Sequence, residues 1–275
     1  MSLALFRTTL KLSQWAVGAW SAFLLLYGLL IMLLFPSLRE SALPLEEYMR
    51  SLPEGMLNAI GLTEAVLDEM FGAGGISLAG FLGQEYLTWW PLIAGIYAFM
   101  FGAGAVAREA ERGTIELLFS HPLTRLQLVV SKFTSFLAIV AMLVVTTAVG
   151  IGAGVLAIGE QLDMLRLSLA IAQGGLVVTA IAAYSFLLSC LLLDPRKAMA
   201  VAGGLMAAMY LLSLLGPLLD PFSWLTKLSL FYYFRPLEVL VRGEFALSSV
   251  LVYVGVTAAC LVAAMVVFQR RNAVL

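Results

Sequence analysis

The chain has 275 residues, of which 62% are hydrophobic and only 12% are charged. Soluble domains are about half apolar and about a quarter charged, so this composition excludes a soluble domain and indicates an integral membrane protein. The formal net charge of −1 gives no support for a nucleic-acid partner. The single histidine, His121, leaves little material for a metal site, and we expect no disulfide between Cys190 and Cys260, which lie in separate apolar runs.

Six apolar runs are long enough to cross a membrane as helices, since a span needs about 20 apolar residues. They lie at about residues 15–35, 87–107, 133–158, 167–193, 198–219 and 247–268. The first run follows basic residues but is too long for a signal peptide and has no cleavage site, so we interpret it as a retained helix. The sequence therefore predicts an all-α integral membrane protein, with one transmembrane domain over residues 1–275.

The segment before the first span has a helical pattern of its own. In residues 2–14, apolar side chains form one stripe, and Arg7 and Lys11 lie on another. This pattern predicts an interfacial helix, with its basic stripe close to anionic headgroups of the inner leaflet. The alternative is an ordinary basic flank of the first span.

The lysines and arginines set the orientation. If the N-terminus is cytoplasmic, the cytoplasmic segments hold ten of the sixteen basic residues and the outer segments hold six. We therefore expect both termini to be cytoplasmic, with residues 36–86 as a large outer loop and residues 108–132 as a cytoplasmic loop. Within the outer loop, residues 54–71 have the apolar spacing of a short amphipathic helix, which the glycine-rich run after it should end.

Several kinds of chemistry are missing from the sequence. No charged residue lies deep in a span, which argues against an ion-coupled secondary transporter or a pump. No G-x-x-x-x-G-K-[ST], H-E-x-x-H or G-x-S-x-G motif occurs. We therefore predict no catalytic residue, no metal site and no cofactor in this chain, so that the energy for any work must come from a partner.

The densest charged stretch of the chain, residues 107–125, lies between the second and third spans. Gly113 is expected to break the helix that leaves the second span, and a short amphipathic helix follows and ends near Pro122. Thr124 and Gln127 fit a capping box that begins the next helix. We interpret the stretch as a rigid lever between a cytoplasmic partner and the spans. The alternative is a surface loop whose apolar face rests on the inner leaflet.

Residues 108–125, Arg-Glu-Ala-Glu-Arg-Gly-Thr-Ile-Glu-Leu-Leu-Phe-Ser-His-Pro-Leu-Thr-Arg, resemble the signature of type-2 ATP-binding-cassette exporter permeases. In that family an acidic cluster runs into Gly-Thr-Leu-Glu-Leu-Leu and then Ser-x-Pro-Val-Ser-Arg. The correspondence covers Glu109, Glu111, Gly113, Thr114, Glu116, Leu117, Leu118, Ser120, Pro122 and Arg125. The departures are Arg112, Ile115, Leu123 and Thr124. Residues 228–237 and 268–272 also look like family segments, with Asn272 in place of an acidic residue.

The resemblance implies that two permease subunits pair, identical or paralogous, and that each docks on a separate cytoplasmic ATPase subunit that binds ATP and Mg. Residues 114–120 would be the coupling helix. The implied ATPase-docking residues are Glu109, Glu111, Gly113, Thr114, Ile115, Glu116, Leu117, Leu118, Phe119, Pro122 and Arg125. The outer segment 220–246 would cap the outer mouth with Trp224, Phe231, Tyr232, Tyr233 and Phe234, the alternative being an interfacial aromatic belt.

We therefore expect the multi-pass permease subunit of an ATP-driven exporter in a bacterial or archaeal plasma (inner) membrane, in contact with membrane lipid. The apolar spans favour a hydrophobic or amphipathic cargo. An alternative with the same partners is a role in the assembly or maturation of another envelope protein, or in immunity or sensing. A passive channel or secondary transporter is a remote alternative. The uncharged spans argue against it, and so does the charged stretch at residues 107–125, which we call the docking stretch.

Overall fold

The computed structural model describes residues 2–40, 48–59, 67–68, 71–72, 75–113, 124–216, 223–243 and 246–270. Within these residues, six helical segments are long and apolar enough to cross a membrane, which confirms the all-α membrane fold. The predicted coupling helix, residues 114–120, lies outside the described residues.

In chain order the helices are α1 (Leu3–Glu40), α2 (Glu54–Ala59), α3 (Leu78–Leu82), α4 (Trp90–Gly104), α5 (Ala107–Glu111), α6 (Arg125–Ile158), α7 (Met164–Leu192), α8 (Pro195–Leu215), α9 (Pro236–Arg242) and α10 (Leu247–Arg270). A π-helical turn, Gly83–Leu87, joins α3 to α4, so that the six spans are α1, α3–α4, α6, α7, α8 and α10. Two 3-10 helices, Ser223–Leu228 and Leu230–Tyr233, precede α9.

The first helix corrects the prediction of a separate interfacial helix over residues 2–14, because α1 has no break between Leu3 and Glu40. It lies parallel to α6, with contacts from one end of both helices to the other. At one end the Ser2 amide donates to Ser131 Oγ at 2.7 Å, and at the other end Arg39 and Glu160 form an ion pair at 2.7 Å. A helix of 38 residues is about 57 Å long and exceeds the ~30 Å of hydrocarbon, so its first turns extend beyond the bilayer core in line with the span.

The outer-loop helix predicted over residues 54–71 is only partly correct. Helix α2 covers Glu54–Ala59, but Phe71 lies in a strand instead of a helix. Strands β1 (Phe71–Gly72) and β2 (Gly75–Ile76) form an antiparallel hairpin in which Phe71 pairs with Ile76. Gly72 pairs with Gly75 in this hairpin, so the predicted helix does not continue to Phe71.

Helix α7 lies at the centre of the bundle and packs against α4, α6, α8 and α10. Small residues allow the closest approaches between spans. A Cβ atom on Gly102 of α4 would lie 2.5 Å from the Ala182 carbonyl oxygen of α7, and one on Gly150 of α6 would lie 2.5 Å from the Leu25 carbonyl oxygen of α1. At these two points the backbones of the neighbouring helices are in direct contact.

The alternating directions of the six spans bring both chain ends to the same end of the bundle. This end, which we call the termini end, also carries α5, the start of α6 and the turn between α7 and α8. The opposite end carries the α6–α7 turn, the start of α3, the two 3-10 helices and α9.

Candidate functional site

The structure describes four of the predicted docking residues, Glu109, Glu111, Gly113 and Arg125, and places all of them at the termini end. The other seven (Thr114, Ile115, Glu116, Leu117, Leu118, Phe119 and Pro122) lie outside the described residues. Helix α5 ends at Glu111, and Gly113 adopts a left-handed φ of 66°, which glycine takes without strain. The expected helix break at Gly113 is therefore confirmed.

A second break, which the sequence did not predict, separates α4 from α5 at residues 105–106. Breaking a helix leaves backbone groups without intrahelical partners, and here two side chains from other helices supply them. The amides of Val106 and Ala107 donate to the buried Ser189 Oγ of α7 at 3.0 and 2.9 Å. Lys132 Nζ of α6 donates to the Ala105 carbonyl oxygen at 2.5 Å. We call residues 105–107 with Lys132 and Ser189 the joint.

A buried ion pair fixes the joint to the docking stretch. Lys132 Nζ lies 2.8 Å from Glu109 Oε1 on α5, and the two side chains are 9% and 28% exposed. A lysine buried to this degree needs a counter-ion, because its desolvation is otherwise too costly. Through this pair, α5 is attached to α6, and through Ser189 it is attached to α7.

The helix after the docking stretch begins with the predicted capping box. Thr124 Oγ1 accepts from the Gln127 amide at 3.2 Å, and Gln127 Oε1 accepts from the Thr124 amide at 3.0 Å. This cap begins α6 at Arg125, eight residues before the apolar run that predicts the third span. The docking stretch is therefore followed directly by a rigid helix.

Arg125 joins this helix start to the end of the last span. Its guanidinium donates to the Phe268 and Gln269 carbonyl oxygens at 2.7 and 3.4 Å, and it lies 5.5 Å from the centroid of the Phe268 ring. The last carbonyls of a helix lack intrahelical partners and carry partial negative charge, so a cation there is stabilising. The two stretches that resemble family motifs, residues 108–125 and 268–272, thus approach each other at Arg125 and Phe268.

We expect Arg125→Met to lower the free energy of unfolding by about 1.5 kcal/mol, the low end for a hydrogen bond from a charged donor because Arg125 is only half-buried. Thermal unfolding in detergent measures the loss, and limited proteolysis should show earlier cleavage at the end of α10. Arg270→Met, which removes an exposed charge from the same helix end, is the control. Equal melting temperatures for the two variants would rule out a stabilising role for Arg125.

The α7–α8 turn adds a capped and strongly basic helix start at the same end. Asp194 Oδ1 accepts from the amides of Lys197 at 3.1 Å and Arg196 at 2.9 Å. The Lys197 amide, together with that of Arg196, holds the pKa of the Asp194 carboxyl below its usual range. Most of the described basic side chains at the termini end are exposed, namely Arg7, Lys11, Arg108, Arg112, Arg196, Lys197 and Arg270.

At the opposite end, the five aromatic residues predicted for the outer mouth have different environments. Trp224 is exposed, Tyr232, Tyr233 and Phe234 are half-buried, and Phe231 is buried edge-on against Tyr210 with centroids 5.5 Å apart. The segment is held on the bundle by α10, since Ser249 Oγ donates to the Tyr233 carbonyl oxygen at 2.9 Å and the Tyr253 hydroxyl donates to that of Leu230 at 3.0 Å. Phe231 is therefore a core residue.

Sequence reasoning missed the residues that build the joint. The sequence marks Lys132 only as a cytoplasmic charge and Glu109 only as a docking residue, and nothing in it singles out Ser189. One signal was available, because Glu109 and Lys132 carry opposite charges at the facing ends of two consecutive spans. Within the described ranges no group of three potential metal-ligating side chains comes together, and no disulfide joins Cys190 to Cys260.

The comparisons with known proteins agree with the motifs at the termini end. The family described as ABC-2 family transporter protein matches residues 13–273. A search of curated proteins finds no significant match. The family match includes all six spans and both of the motifs that Arg125 brings together. Because it covers nearly all of the 275 residues, the protein belongs to the ABC-2 family of transporter proteins and is a multi-pass membrane permease of the ATP-binding-cassette type.

Proposed function

We propose that this permease is the membrane-spanning subunit of an exporter driven by a separate cytoplasmic ATPase in the plasma membrane. Family membership supports the ATPase as a general partner. The contacts at the joint are the observation that supports coupling between the ATPase and the spans. Because α5 leads directly into residues 114–120 and is bound to α6 through Lys132 and to α7 through Ser189, a displacement of the docking stretch moves two spans.

The proposed orientation places the termini end in the cytoplasm. Its exposed arginines and lysines support this choice, because positive charge concentrates on the cytoplasmic side of membrane proteins. The ATPase, with its ATP and Mg, then docks on residues 114–120. Two permease subunits, identical or paralogous, pair in the membrane. Closure of two ATPase subunits on ATP draws the two docking stretches together, and the joints pass this motion to α6 and α7.

The proposal is tested by purifying the tagged chain in mild detergent and measuring ATPase activity in what co-purifies. We expect a stoichiometric ATPase with the unmodified chain, and a loss of about tenfold or more with Leu118→Asp, because a charge placed in an apolar partner groove is left unpaired. Leu247→Asp is the matched control, since Leu247 is 70% exposed at the opposite end.

Each alternative has its own outcome. If the chain purifies alone and supports flux without ATP in vesicles, the result favours a passive channel or secondary transporter. If Leu118→Asp binds the ATPase and transports normally, the interpretation of residues 107–125 as a lever is wrong. An active complex that moves no cargo in reconstituted vesicles favours a role in assembly, maturation, immunity or sensing.

A further inference from the structure

Helix α4 forms the floor of a groove between α1 and α8. On one side, Tyr97 of α4 meets Trp20 of α1 with ring centroids 6.2 Å apart. On the other side, Phe99 of α4 lies against Gly203 of α8, where a Cβ atom would be 3.3 Å from its ring. Between these two contacts, α4 exposes Ile96 and Met100 by 39% and 41%. In a membrane, a groove of this kind is open to lipid from the side.

An arginine occupies the termini end of the groove. Arg108 folds back over Gly104, where a Cβ atom would lie 2.6 Å from its Nε, so the absence of a side chain at Gly104 makes room for it. Its Nη2 lies 3.9 Å from Met199 Sδ on the α8 side. On the α1 side, its positive charge lies close enough to the Tyr97 hydroxyl to act on it.

The guanidinium of Arg108 is exposed, and across the described ranges no carboxylate lies within ion-pair distance of it. The neighbouring Glu109 turns to Lys132 instead. Arginine binds anionic oxygens strongly because its planar fork can donate two parallel hydrogen bonds. The termini end of the groove therefore offers an anion site just beyond the end of the second span at Gly104, where we expect the lipid headgroups.

Aromatic rings continue from this site along α1. The Trp20, Phe23 and Tyr27 rings follow one another with centroids 6.2 and 5.9 Å apart, and Tyr27 stacks on Tyr86 at 4.9 Å. Trp20 and Tyr27 are half-buried and Phe23 is 48% exposed, so these rings present apolar surface to the groove. From Trp20 to Tyr27 the unbroken helix α1 rises about 10 Å at ~1.5 Å per residue, about a third of the ~30 Å of hydrocarbon.

We infer that this groove binds an anionic amphiphile, with its headgroup on Arg108 and its acyl chain along Trp20, Phe23 and Tyr27. The apolar rings alone would accept any lipid tail, and the arginine selects a negatively charged headgroup. The occupant enters sideways from the leaflet at the termini end. Naming this amphiphile as the cargo class rests on the proposed exporter function, whereas its binding to the isolated permease does not.

The binding test uses native mass spectrometry of the chain purified from vesicles of equal phosphatidylglycerol and phosphatidylcholine. We expect preferential retention of phosphatidylglycerol, reduced about tenfold by Arg108→Gln because the charge-assisted bonds are lost. Arg270→Gln is the matched control, since Arg270 is exposed at the same end but lies on α10, which packs against α7. Equal retention of the two lipids by the unmodified chain, or full retention of phosphatidylglycerol by Arg108→Gln, overturns the site.

Two further variants keep the result interpretable. Phe23→Ala should weaken the binding of long-chain phosphatidylglycerol more than that of a short-chain form. If binding does not depend on chain length and inorganic phosphate displaces the lipid, Arg108 is only a simple anion site and the amphiphile proposal is wrong. If Arg108→Gln does not fold, Arg108→Lys should retain the lipid at a reduced level, since it keeps the charge but loses the fork. In the complex with its ATPase, phosphatidylglycerol should stimulate hydrolysis, and equal stimulation of Arg108→Gln would remove the cargo assignment while the binding result stands.

Discussion

Replacing Lys132 with methionine is expected to lower the free energy of unfolding by about 3 kcal/mol. Methionine keeps most of the lysine volume, but it removes the donor shared by the Glu109 carboxylate and the Ala105 carbonyl. Breaking a buried ion pair on one side costs about 3–5 kcal/mol, because the other charge stays in a poorly solvated site. The lower end applies here, since Glu109 is 28% exposed and water can reach it.

A second substitution separates the ion pair from the packing. Lys132→Met combined with Glu109→Leu removes both charges, and replacing a whole buried pair by apolar groups is often neutral. We therefore expect the double variant to recover most of the lost stability in thermal unfolding in detergent. If it is as unstable as Lys132→Met alone, the bond to Ala105 rather than the pair with Glu109 stabilises the joint.

The same two variants separate stability from coupling. Since the Lys132–Glu109 ion pair binds α5 to α6, both variants should transmit less motion from the docking stretch. We expect ATPase binding to persist and cargo-dependent stimulation of ATP hydrolysis to fall in both. The double variant, stable but weakly coupled, would show that the joint serves function beyond folding.

The spans could be predicted from sequence because the length of an apolar run is a local property. The start of α6 was local as well, since Thr124 and Gln127 carry the whole capping box between them. The course of residues 2–14 was not local. Whether the helix bends at the membrane surface or continues straight depends on its packing against α6, where Ser2 meets Ser131 and the Ser135 hydroxyl lies 3.4 Å from the Phe6 carbonyl oxygen.

The joint and the groove lay beyond sequence reasoning for the same physical reason. Ser189 caps amides that are 82 and 83 residues away in the chain, and an ordinary serine in an apolar run gives no sign of such a role. In the sequence, Arg108 is one charge among many in the docking stretch. Its direction is set by the missing side chain of Gly104, which matters only once α4 and α5 are in place.

Replacing Gly102 with alanine tests the close packing of α4 against α7, which lies next to the joint. A Cβ atom there would lie 2.5 Å from the Ala182 carbonyl oxygen and 2.9 Å from Ser185 Cβ, and a backbone oxygen inside a helix cannot turn aside. We therefore expect Gly102→Ala to separate α4 from α7 and to lower the free energy of unfolding by about 2–3 kcal/mol, as overpacking does in well-packed cores. The clash outweighs the ~1 kcal/mol by which alanine favours a helix over glycine.

The matched control for Gly102→Ala is Gly204→Ala in α8, where nothing lies within 4 Å of the added Cβ atom. Without a clash, alanine should be neutral or should stabilise the chain by up to ~1 kcal/mol through helix propensity. Thermal unfolding of the two variants side by side therefore measures the close approach of α4 and α7 free of any general effect of glycine replacement. Since Gly102 lies one turn before the joint, a separated α4 should also draw Val106 and Ala107 away from Ser189 and weaken coupling. Equal melting temperatures for the two variants would show that α4 and α7 have room for the added atom, and the joint would then depend on Lys132 and Ser189 and not on this close packing.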